Sequence, residues 1–93
     1  MKILQSRSFA QKVKKFSKSQ KLHLDKQVRL ILKDPTIGTE KKGDLRGISI
    51  HKFKLKTIQY LLAYRIVSEN PELIMIGPHQ NYYRDLKKYI KST

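Results

Sequence analysis

The sequence predicts a two-layer α+β fold: an N-terminal strand and a helical hairpin packed on a mainly antiparallel four-stranded sheet, with a short C-terminal helix. Three observations predict it. Apolar residues recur at helical spacing before residue 34 and again after residue 81. Between residues 48 and 77 the pattern changes to strand-type runs rich in β-branched and aromatic residues. The break Ser68-Glu69-Asn70-Pro71 is too short for a crossover, so the strands flanking it run antiparallel.

Ile3-Leu4 between polar neighbours fits a short first strand. Ser8 and Gln11 have the spacing of a capping box, and Phe9, Val13 and Phe16 form the stripe of a helix ending near Ser17. Ser19 or its neighbours start a second helix. Leu24, Val28, Ile31 and Leu32 are its apolar side, and Asp34-Pro35 ends it because the residue before proline is pushed out of helical geometry. Residues 36–47 carry Gly38, Gly43 and Glu40-Lys41-Lys42 without periodicity, which predicts an exposed loop with solvated charges.

Ile48 to Lys56 alternates, with Phe53 and Leu55 on one face and Lys52, Lys54 and Lys56 on the other. Ile48 and Ile50 share the lysines' parity, which predicts a bulge or a change of buried face near residue 51. From Thr57 to Val67, Ile58, Tyr60, Leu62, Tyr64 and Ile66 are expected to face the helices, and Gln59, Leu61, Ala63 and Arg65 the opposite side. Leu73 to Ile76 reads as a buried strand ending at Gly77-Pro78, and Asn81 as the cap of a final helix to about Lys91. The helical hairpin covers one face of this sheet and leaves half of the other open. The expected organisation is one domain spanning residues 1–93.

Charge narrows the function. The chain has 21 Lys and Arg against 7 Asp and Glu, a formal +14 in 93 residues. Such an excess points to a polyanion or an acidic protein partner. With no cysteine, disulfides and thiolate metal sites are excluded, and the three histidines lack ligand spacing, so neither metal nor cofactor is expected. No apolar run approaches the roughly 20 residues of a membrane span. The start lacks the apolar core of a signal peptide, so a cytoplasmic protein is expected.

Lysines alternating on a strand stand roughly 7 Å apart, from a rise of about 3.3 Å per residue. That matches the spacing of successive phosphates, although lysine is also the usual guard of an exposed sheet edge. A strand placed between neighbours favours the phosphate reading. Arg46 and Arg65 are candidates to extend the patch. His79 follows a strand end and a Gly-Pro turn, and an accessible histidine suits general acid or base work near neutrality. Tyr82 and Tyr83 can stack on bases or donate to phosphate, but Tyr82 lies at helical spacing with Leu86 and is assigned to packing. His23 is read as a surface residue, and His51 lies on the parity opposite the lysines. Metal-free phosphoryl transfer suits RNA, whose 2′-OH is an internal nucleophile.

The element order and several segments resemble the RelE/ParE superfamily of bacterial toxins. These are Asp44-Leu45-Arg46-Gly47, His51-Lys52-Phe53-Lys54-Leu55, Tyr60-Leu61-Leu62-Ala63-Tyr64-Arg65-Ile66 and the ending Gly77, His79, Tyr83-Arg84. The resemblance implies a RelE-like fold and the toxin half of a toxin–antitoxin pair. RelE-type members are ribosome-dependent endoribonucleases that cut mRNA in the A site, and ParE-type members inhibit DNA gyrase.

On the RelE pattern, Lys52 and Lys54 correspond to lysines that bind the scissile phosphate. The glycine-x-arginine-x-x-x-tyrosine ending corresponds to Gly77, His79 and Tyr83, with a catalytic histidine as in YafQ-type members. The resemblance thus implies Lys52, Lys54, His79 and Tyr83 as catalytic, and Arg46, Lys56, Gln59, Arg65 and Arg84 are the candidate RNA-binding residues beside them. Leu61 stands where RelE-type members carry a phosphate-binding arginine, and Gln59 where YafQ-type members carry an acid, which keeps gyrase inhibition as the alternative. The implied partners are a cognate antitoxin that wraps the domain, the ribosome and mRNA. The free toxin is expected to be a monomer and the antitoxin complex a hetero-oligomer.

Overall fold

The computed structural model describes residues 2–92, so the first and last residues of the expected 1–93 domain lie outside the described residues. In chain order the elements are β1 (Leu4–Gln5), α1 (Arg7–Lys14), α2 (Lys18–Lys33), β2 (Thr39–Glu40), β3 (Ser49–Leu55), β4 (Ile58–Val67), β5 (Asn70–Pro78) and α3 (Tyr82–Ser92). Single 3-10 turns at Pro35–Ile37 and Gly43–Leu45 flank β2. The sheet order is β1-β5-β4-β3-β2, with β1 parallel to β5 and the other pairs antiparallel. The α+β class and the mainly antiparallel sheet are as expected, but the sheet has five strands, not four, and helices lie on both of its faces. The additional strand β2 is two polar residues with no alternation to read. It exists because Thr39 and Glu40 pair with Ile50 and Ser49.

The helix starts differ from the capping pattern read in the sequence. Ser6, not Ser8, caps α1, its side chain accepting from the Phe9 N–H at 3.0 Å. The Ser6 hydroxyl also donates to the Ile74 carbonyl of β5, a tertiary bond that spacing along the chain does not reveal. Ser17, not Ser19, opens α2 with a complete capping box. Its side chain accepts from the Gln20 N–H at 3.2 Å, and the Gln20 side chain accepts from the Ser17 N–H at 2.8 Å. The serine expected to end α1 therefore starts α2.

Apolar residues pack on both faces of the sheet. On the hairpin side, Phe9, Leu24, Val28 and Ile31 meet Phe53, Leu55, Leu62, Tyr64, Leu73 and Ile76. On the other side, α3 lays Tyr82 and Leu86 over Ile48, Ile50, Leu61, Ala63 and Ile74, with Leu45 alongside. β4 is thus buried on both faces from Leu61 to Tyr64. This second core explains the parity of Ile48 and Ile50 without a bulge in β3. One face of the strand is covered by α3 at its start and emerges at Lys52 and Lys54. The irregularity lies instead between Ala63 and Tyr64, against β5.

Tyr64 ties the linker after α2 to the sheet. Its hydroxyl donates to the Pro35 carbonyl at 2.5 Å and accepts from the Gly38 N–H at 3.1 Å. Burial raises its pKa, partly offset by the bond from Gly38. β4 and β5 join through only two residues, Ser68 and Glu69, both at positive φ (50° and 69°), the geometry of a twisted hairpin turn. The expected four-residue turn is shorter because Asn70 and Pro71 already pair with Val67 and Ile66.

Candidate functional site

The strand register assembles the site. Lys52 is paired with Leu61 and Leu61 with Gly77, so these positions share the α3 face of the sheet. One step on, Lys54 is paired with Gln59, and Tyr60 with Pro78, the last residue of β5. His79 therefore leaves the sheet at the end where Gln59 stands one strand away and Lys54 two strands away, the latter about 10 Å across the sheet. Lys52, Lys54, Gln59 and His79 are all exposed. Beyond Ile50, no strand among the described residues pairs with the outer side of β3, so the lysines stand on a sheet edge, contrary to the placement between neighbours expected from the sequence. That position serves edge protection as well as ligand access.

The first turn of α3 fixes the rest. Tyr82 is buried as expected, and its hydroxyl donates to the Met75 carbonyl at 2.6 Å. Burial drives its pKa far up, so it stays a neutral anchor. Tyr83, half-buried, meets Tyr82 edge to face at 5.8 Å and 88°. It meets His79 in the same manner at 6.1 Å and 86°. Above the Tyr83 ring lies the Lys41 ammonium, 5.1 Å from the centroid. This placement of Lys41 departs from the solvated charges expected of residues 36–47, because an aperiodic loop offers no signal of where it folds back.

The other predicted residues divide. Arg46 and Lys56 are exposed on turns flanking β3, Lys56 at φ 59°. Arg84 is exposed on α3, 3.7 Å from the Asp85 carboxylate. Arg65 is not part of the cluster. It pairs with Glu72 at 2.5 Å, six residues along β4 from Gln59, or about 20 Å at the strand rise. His51 faces the hairpin, donates through Nε2 to the Gln27 side-chain oxygen at 2.8 Å and stacks on Phe53. Burial lowers its pKa. His23 is exposed. Among the described residues, no three His, Asp or Glu side chains gather as a metal site would require.

Residues 3–87 match the family described as the ParE-like toxin of type II bacterial toxin–antitoxin systems. The chain belongs to that family. Solved structures of the Escherichia coli RelE toxin share the toxin's fold. RelE in the intact RelBE toxin–antitoxin complex superposes with a TM-score of 0.64 at 21% identity, over 81% of this chain and 92% of that one. The isolated RelE toxin gives 0.63 at 20% identity, over 94% and 96%. A doubly substituted RelE in the free state gives 0.71 at 17% identity, over 98% and 96%. No curated protein matches the toxin. As the toxin of a type II system it has an antitoxin as its partner.

The toxin's departure at Leu61 has a structural counterpart. Leu61 is 0% exposed, enclosed in the core that α3 forms with the sheet. A charged side chain there would be buried beside Tyr82 and Leu86, at a cost of several kcal/mol or more unless paired. No helix among the described residues is long and apolar enough to cross a membrane.

Proposed function

We propose that the toxin is a metal-independent endoribonuclease that cuts mRNA in the ribosomal A site, with Lys52, Lys54, His79 and Tyr83 as its catalytic residues. The observation that carries this reading is the register that sets Lys52, Lys54 and the exit to His79 at one end of one sheet face. The formal charge of +14 and the resemblance to RelE-type members support a ribonucleoprotein partner.

In this reaction the 2′-oxygen attacks the adjacent phosphorus as a base removes its proton. The phosphorus–5′-oxygen bond breaks, an acid protonates the leaving oxygen, and the upstream fragment ends in a 2′,3′-cyclic phosphate. Lys52 and Lys54 stabilise the negative charge that accumulates on the phosphoryl oxygens. His79 serves as the acid or the base, and Tyr83 orients it or the adjacent nucleotide. Arg46, Lys56, Gln59 and Arg84 line the approach for RNA. Arg65 belongs to this role only if the message extends to the far end of β4.

Purified toxin added to translating ribosomes should release message cut within the A-site codon. His79→Ala should slow that cleavage by about 100-fold or more, the scale of a lost general acid or base. Intact message after incubation with wild-type toxin would end this reading. The second reading, inhibition of DNA gyrase, is favoured by one observation: the strand position of the phosphate-binding arginine is the buried Leu61. A supercoiling assay without ribosomes separates the two.

A further inference from the structure

Lys41 is the one cation that the fold brings onto an aromatic ring of the candidate site among the described residues. Its backbone is held on both sides. The Lys41 N–H donates to the Ile48 carbonyl at 2.8 Å, directly after the β2 pairs to Ser49 and Ile50. Upstream, Tyr64 grips Pro35 and Gly38. The ammonium is therefore carried to Tyr83 by an anchored segment, within the roughly 6 Å at which a cation is attracted to a ring face. Tyr83 in turn rests edge to face on the buried Tyr82 and on His79.

We propose that Lys41 is a positioning residue: by seating its ammonium over the ring face of Tyr83, it fixes the phenol and, through the ring, the imidazole of His79. The inference rests on the endoribonuclease reading for its catalytic consequence, but the ring placement stands apart from it. A cation over one face leaves three sides of Tyr83 determined, by Lys41, Tyr82 and His79. Without the charge, the half-buried ring keeps its packing on the core under α3 and its two edge contacts but loses the hold on its face, and His79 loses its neighbour's fixed orientation. A lysine that instead bound RNA would act on affinity and not on turnover.

The test compares Lys41→Gln, Lys41→Arg and, as a neighbour control, Lys42→Gln. Lys41→Gln should lower kcat by roughly two- to five-fold, the value of one partly exposed cation–ring contact, with KM nearly unchanged. Lys41→Arg should restore kcat, since a guanidinium stacks as well. NMR signals of the Tyr83 and His79 rings should shift in Lys41→Gln and not in Lys42→Gln. A change in KM alone would make Lys41 an RNA contact and overturn the proposal. Ring signals that stay in place in Lys41→Gln would overturn it too. Should wild-type toxin cut no message while the rings still shift, the endoribonuclease reading fails and the positioning contact stands.

Discussion

Replacing Gly38 by alanine tests the join between the helical hairpin and the sheet. A Cβ at residue 38 would lie 2.6 Å from the Tyr64 hydroxyl oxygen, 2.9 Å from Cε1 and 3.1 Å from Cζ. Gly38 sits at φ −79°, which alanine adopts freely, so the backbone itself is unstrained. The clash must be relieved by Tyr64, which is 1% exposed and pinned by its bonds to Pro35 and Gly38. Moving the ring weakens two hydrogen bonds of about 1 kcal/mol each. Overpacking adds about 1–3 kcal/mol. Reduced freedom of the unfolded chain returns about 0.4–1 kcal/mol. The expected net destabilisation is about 2–4 kcal/mol, a drop in Tm on the order of 10–20 °C for a domain this size. Urea unfolding should show a lower midpoint at constant slope. In a Tyr64→Phe background the nearest atom and both hydrogen bonds are already gone, so the same substitution should cost at least about 1 kcal/mol less, measured as a double-mutant cycle. Full stability in Gly38→Ala, or an identical cost in both backgrounds, would refute the role assigned to this contact.

Other expectations follow from the same geometry. Leu86→Ala removes a fully buried side chain from the core under α3 and should cost about 2–5 kcal/mol in chemical unfolding; a cost below 1 would mean that α3 is not firmly docked. Lys54→Glu should weaken binding to a non-cleavable single-stranded RNA and lower the salt slope by about 0.7, the share of one phosphate contact, whereas an unchanged slope would remove Lys54 from the interface. The folded-state pKa of His51 is lowered, so the fold prefers the neutral ring. Its contribution is fully present above its unfolded pKa of about 6.5 and is lost as pH falls through the lower folded value. Wild type should therefore lose stability between about pH 7 and 5 relative to His51→Gln, and parallel pH curves for the two would contradict this.

The legible parts were those where one local pattern decides. Leu24, Val28 and Ile31 announced α2, the Phe53 and Leu55 alternation announced β3, and Tyr82 was assigned to packing by its spacing to Leu86. Residues whose role depends on distant partners were misread. Ser6 is set apart from Ser8 by its cap to Phe9 together with a bond to Ile74, 68 residues away, and Thr39-Glu40 becomes a strand only against Ser49 and Ile50. Lysines 52 and 54 are visible by alternation, but their edge position depends on how far β2 runs. Arg65 shares their parity yet stands far along β4 beside Glu72, because parity gives the face and not the distance along the strand. Lys41 lies in a loop whose path is set by Tyr64 and by the Lys41–Ile48 bond.

The second core has a further consequence, for cooperativity. The hairpin and α3 sit on opposite faces of the sheet and bury separate sets of side chains. α3 commits only Tyr82 and Leu86 fully, with Tyr83, Tyr89 and Ile90 in part. Such an element can open on its own as a local unfolding unit while the sheet and hairpin persist. Its amides should exchange with solvent well before those of Leu61 to Tyr64. Each opening carries Tyr83 away from His79 and uncovers Leu61 and Ala63, so the lifetime of the docked helix bounds the time for which the candidate site holds these two rings together.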